Sequence, residues 1–153
     1  MSYRVFEKLL KVKDILDKGI SGFLMREGYN LRDVVLSNLD SDESAEPITE
    51  KPSISLKFVN EDAEREIEFE VDINYLPYLT ISNNELDESF DFHDYYKHKV
   101  NKMFQFKELF GSNEHEKLEY FLELLSKEFG TNLLKLIRGK EWQDIPEDWG
   151  PYK

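Results

Sequence analysis

The 153-residue chain contains no cysteine, and only five prolines, seven glycines and three methionines. Lack of cysteine excludes disulfides, thiolate nucleophiles and Cys-ligated zinc or iron–sulfur centres. The glycines are scattered, so neither the G-x-G-x-x-G nor the P-loop pattern occurs. The one close pair, Gly19 and Gly22, has no strand before it. No G-x-S-x-G is present, and there are only three histidines. No apolar run is long enough to cross a bilayer, and Met1 to Glu7 lead directly into a charged periodic segment without a signal-peptide core. The expected compartment is therefore the cytoplasm.

What is present is ample material for a core: 40% apolar residues and 14% aromatics, with 11 Phe, 8 Tyr and 2 Trp. Disordered chains are poor in aromatics, so this one is expected to fold, and its length suits a single domain spanning 1–153. The net charge of −12 is unevenly spread. Met1 to Leu39 carries seven bases and five acids, and Tyr95 to Lys153 carries ten of each. Asp40 to Asp94 holds seventeen acids against Lys51, Lys57 and Arg65. A field of that sign repels phosphate backbones and anionic membranes, and steers basic proteins inward.

Val5, Leu9, Val12 and Leu16 recur at helical spacing, and Ile20, Phe23 and Leu24 continue the stripe, which predicts a helix through Gly19 and Gly22 to about Arg26. Leu31 to Leu39 reads as a strand, although Val34, Val35 and Asn38 also fit a helix. Residues 40–52 have only Ala45 and Ile48 to bury, so a mobile acidic loop is expected there. Ile54, Leu56 and Phe58 alternate with polar residues, as do Ile67, Phe69, Val71 and Ile73 with Glu66, Glu68, Glu70 and Asp72. Two alternating runs around Asn60 to Ala63 predict an antiparallel hairpin with one wet face. Tyr78 to Ile81 adds a short strand after Pro77.

Phe90, Phe92, Tyr95, Tyr96, Val100, Met103 and Phe104 form an aromatic series that predicts a helix from about His93 to Phe106, capped by Asp91. Leu118, Phe121, Leu122, Leu125 and Phe129 predict another helix, stopped by Gly130, and Asn132 is the candidate cap of a last short one. Strands clustered between helices imply an α+β fold: an antiparallel three- to four-stranded meander packed against an N-terminal helix and two to three C-terminal helices. The tail, 140–153, concentrates both tryptophans with Pro146 and Pro151, which suits either an anchor for a partner or, the favoured expectation, a strap tied across its own domain.

The strongest chemical feature is the row Glu66, Glu68, Glu70 and Asp72, because alternate strand residues share a face about 6.5–7 Å apart. With Glu61, Asp62 and Glu64 at the turn, and Asp42, Glu43 and Glu46 in the acidic loop, it forms the candidate surface for a basic protein. The plainer reading is the solvated face of a hairpin. Carboxylates spread along a strand do not converge as general acid–base catalysis or a metal site requires. His93 and His98 are five residues apart and on a helix point about 140° from each other, so no shared metal is expected. No catalytic residue and no cofactor are expected either.

A small, acidic, cysteine-free α+β chain without a catalytic signature resembles in character the bacterial toxin-immunity proteins, whose class neutralises a toxin by direct binding. That resemblance implies a non-enzymatic inhibitor of a basic partner, such as a toxin or nuclease domain. A second reading is a small-ligand domain or enzyme with its pocket between the sheet and the aromatic helix of Phe92, Tyr95 and Tyr96. A third is a nucleic-acid mimic, the carboxylate row imitating phosphates.

Overall fold

Val5, Leu9, Val12 and Leu16 are all buried along one side of α1 (Tyr3–Leu16), while Glu7, Lys11 and Asp14 face solvent. The computed structural model describes residues 3–40, 51–100, 114–143 and 145. Helical structure continues past α1 through a π turn, Asp17–Ser21, into α2 (Gly22–Arg26), and buried Ile20 and Leu24 prolong the apolar stripe. The helix thus passes both glycines to Arg26, as its periodicity predicts. A Cβ on Gly19 would lie 2.7 Å from Leu122 Cδ1 of the helix packed alongside, so the end of that side chain would have to shift to admit one.

Five strands follow: β1 (Asn30–Ser37), β2 (Ser53–Asn60), β3 (Arg65–Asp72), β4 (Pro77–Asn83) and β5 (Glu88–Asp91). They form one antiparallel sheet in the order β1-β2-β3-β4-β5, an uncrossed meander. Leu31 to Ser37 is strand and not helix. Pro77 opens β4 opposite Val71, and its missing N–H costs no ladder bond because β5 reaches β4 only from Thr80 to Asn83.

The fifth strand exceeds the three or four expected. Phe90, counted by its spacing into the aromatic helix, lies on β5 opposite Ile81. Local turn chemistry decides this. Asn83 Oδ1 accepts from the N–H groups of Glu85 and Leu86, at 3.0 and 3.2 Å, and reverses the chain. Asp91 is still extended, and its carboxylate accepts from His93 N–H at 2.7 Å, so α3 (Phe92–Tyr95) starts just beyond it. The expected cap is therefore present. A π turn, Tyr96–Val100, continues α3, and the predicted remainder to Phe106 lies outside the described residues, as do 41–50 of the acidic loop.

α4 (Glu114–Phe129) buries Leu118, Phe121, Leu122, Leu125 and Phe129, the five residues of its predicted face. α5 (Leu134–Ile137) lacks the expected Asn132 cap: Leu133 occupies that position, and Asn132 Nδ2 donates instead to Glu128 Oε2 at 2.8 Å. Buried Glu128 also accepts from Tyr95 O–H at 3.2 Å, so one carboxylate oxygen holds both side chains. Gly139 ends this segment at φ +79°, where a Cβ would stand 2.7 Å from the Ala63 carbonyl oxygen. Only glycine satisfies both demands.

The core lies between one sheet face and the helices. Phe58 meets Phe69 edge-on at 6.1 Å, and Phe92 meets Phe121 likewise at 5.7 Å. Arg65, 4% exposed, locks the sheet to the C-terminal segment. Its guanidinium donates to the carbonyls of Leu136, Ala63 and Glu141 at 3.0, 3.2 and 2.9 Å, and lies 5.1 Å from the centre of the Trp142 ring. Trp142 packs on Phe90 and donates from Nε1 to Glu88 at 2.8 Å, while Ile145 is buried. This part of the tail does fold across its own domain; 146–153 lie outside the described residues. Among the described residues no helix is long and apolar enough to cross a membrane.

Candidate binding face

Strand alternation gives the sheet two unlike faces. Ile54, Leu56, Phe58, Ile67, Phe69, Val71, Leu79 and Ile81 are fully buried toward the helices. The opposite face carries Ser55 and Lys57 on β2, Glu66, Glu68 and Glu70 on β3, and Tyr78, Thr80 and Ser82 on β4, each at least partly exposed. The three glutamates occupy the middle strand and stand about 6.5–7 Å apart along it. Lys57 Nζ lies 3.9 Å from Glu68 Oε2 on a half-exposed pair, too loosely held to quench the row.

Asp72 departs from the row. It is 4% exposed, and its Oδ1 accepts from the N–H groups of Asn74 and Leu76 at 2.8 and 3.1 Å, closing the turn into β4. Oδ2 is buried without a hydrogen-bond partner. Burial pushes this carboxyl above its ordinary range, against the two backbone N–H groups that pull it down. The fourth acid of the sequence pattern is thus a turn residue.

The sequence pattern did not mark Tyr78. It sits directly across from Glu70, is 40% exposed, and its ring centre is 5.8 Å from that of His93. Burial raises its phenol above the usual value, and the negative field of Asp72, Asp91 and Glu70 raises it further. Asp91 also faces His93 Nδ1 at 3.2 Å. The signal was available in the register: once β4 is paired with β3, Tyr78, Thr80 and Ser82 fall in phase with the glutamates.

The turn acids gather at one end of the sheet. The β2–β3 turn carries Glu61, Asp62 and Glu64, and the β4–β5 turn carries Glu85 and Asp87, joined by the bond from Asn84 N–H to the Glu64 carbonyl at 2.8 Å. Glu85 shares a hydrogen bond with the Glu64 carboxyl and repels its charge, and both raise it above the usual carboxylate range. Arg32 pairs with Glu61 at 2.9 Å. Asp42, Glu43 and Glu46 lie outside the described residues.

The aromatic side chains of the ligand-pocket reading belong to the core. Phe92 and Tyr95 are buried in contact with each other at 5.6 Å, Tyr96 lies 6.0 Å from Phe92, and burial raises the Tyr95 phenol. A cleft of about 500 Å³ opens elsewhere, between the N-terminal helical segment and α4, and is lined by Ile15, Lys18, Gly19, Glu119, Leu122, Glu123 and Ser126. Among the described residues no three His, Asp or Glu side chains converge as metal ligands. Comparison with protein-family models, curated proteins and solved structures finds no match to this chain.

Proposed function

We propose that the protein is a non-enzymatic binding module whose wet sheet face docks a basic protein, in the manner of an acidic immunity-type inhibitor. The observation that carries this reading is the row of Glu66, Glu68 and Glu70 on the middle strand, with half-exposed Tyr78 across from Glu70. Carboxylates on a rigid strand present fixed acceptors to lysine and arginine, and a neighbouring tyrosine adds amphipathic contact area at little entropic cost. Long-range steering by the acidic field speeds the approach of such a partner and weakens as salt rises.

Affinity capture from native extract with the full chain tests it. The expected result is a stoichiometric basic partner whose binding is lost in the Glu66→Ser, Glu68→Ser, Glu70→Ser triple variant. Capture of no partner, or equal capture by the variant, overturns the reading. A captured toxin or nuclease domain that the protein silences identifies the inhibitor class. Displacement of the partner by duplex DNA identifies a nucleic-acid mimic.

A further inference from the structure

β1 is an outer strand of the sheet and, among the described residues, pairs only with β2. An unpaired edge offers its N–H and C=O groups to any other strand, and proteins normally blunt such edges with charges, prolines or short strands. The first half of β1 carries such devices, in Arg32, Asp33 and a bulge between Leu31 and Asp33, and the second half, Val34 to Ser37, carries none. Val34 and Val35 are 44% and 50% exposed, and they flank the edge on opposite faces: Val34 pairs with Leu56 on the helical side, Val35 with Ser55 on the wet side. Leu36 beside them is half-buried.

We propose that this edge joins two copies of the chain, β1 against β1 antiparallel, with the two-fold axis at Val35. The two five-stranded sheets then become one of ten. Val35 faces its counterpart on the wet side, Val34 faces Leu36 of the second copy on the helical side, and Asp33 faces Ser37. Each apolar side chain of the segment meets another, and no like charges stand opposite. Other registers lose this match. An axis at Val34 sets Asp33 against Val35, one at Leu36 sets Val35 against Ser37, and one at Asp33 sets two carboxylates face to face.

Five residue pairs make a contact well below the usual size of a stable interface, so the dimer is a weak one that forms as protein concentration rises. Each copy carries −12, and salt screens their repulsion, so the dimer strengthens with ionic strength. Docking of a basic partner on the glutamate row has the opposite salt dependence.

Sedimentation velocity of the full chain over a concentration series, at low and high salt, tests the association. The expected result is a mass rising from 18.2 kDa toward twice that value, further at high salt. Val35→Lys places two ammonium groups at the axis and returns the protein to monomer with its circular dichroism unchanged. The register has its own test because the chain has no other thiol. Val35→Cys should cross-link on oxidation about tenfold faster than Val34→Cys, since directly opposed Cβ atoms approach disulfide distance. A monomer at every concentration, an association indifferent to Val35→Lys, or equal cross-linking at 34 and 35 overturns the proposal. No basic partner is present in these experiments, so their outcome is independent of the reading of the acidic face.

Discussion

The two sides of β3 are built from alternate residues of one eight-residue strand, yet they answer to different physics. Ile67, Phe69 and Val71 are fully buried against the helices, while Glu66, Glu68 and Glu70 face outward. Stability lives on the first set, and the proposed recognition on the second. The separation breaks most visibly at Phe69, which touches Phe58 edge-on. Phe69→Ala should cost about 3–5 kcal/mol by lost burial and an unfilled cavity, read as a lower midpoint in urea. A loss under ~1 kcal/mol would mean that this side is not a packed core.

The ends of the strand sharpen the comparison, because both carry a buried charged residue. Arg65 continues the helical side and is met by three backbone carbonyls and the Trp142 ring. Arg65→Met leaves those carbonyls without their donor and should cost about 2–4 kcal/mol, with Arg65→Lys intermediate because an ammonium cannot span the same three acceptors. Trp142 fluorescence should change in both variants. Asp72 ends the wet side with one oxygen bonded to backbone and the other without a partner.

Burial raises the Asp72 carboxyl in the fold, so the folded state holds its proton more tightly than the unfolded chain does. Its contribution is therefore fully present below the unfolded value and is lost as pH rises through the folded one. Asp72→Asn keeps the acceptor for Asn74 and Leu76 while removing the buried charge. It should raise stability at pH 7 by up to about 1 kcal/mol and flatten that part of the pH profile, measured by urea titration from pH 3 to 8. A variant less stable than the parent at pH 7 would show that the turn holds the carboxylate better than a neutral amide whose Nδ2 takes the unpartnered place of Oδ2.

How far the chain could be read before its structure follows from the same contrast. Periodicity found α1 with its extension, β2, β3 and α4, because each buries one repeating side over many residues. It missed β5, where four residues offer one buried phenylalanine and the turn at Asn83 decides the path. It placed Asn132 as a cap by residue type, whereas a carboxylate from α4 holds that side chain. Such contacts are tertiary and leave no local trace. The glutamates of the wet face were legible from alternation; the burial of Asp72 and the position of Tyr78 required the turn and the register.

The smallest expected effect on stability belongs to the feature that matters most for the proposed binding. Glu66, Glu68 and Glu70 repel one another along β3 and find only the loose Lys57 contact among the described ion pairs. Removing all three charges should leave the unfolding free energy within about 0.5 kcal/mol of the parent, because the relieved repulsion offsets the loss of the loose Lys57 contact. The contrast with Phe69→Ala is then a change of several kcal/mol on one side of a strand and almost none on the other. If the triple variant unfolds at the parental midpoint but no longer holds a basic partner, the wet side acts in recognition alone. A large loss of stability would instead show that the glutamates hold the sheet together, and the division between the two sides would collapse.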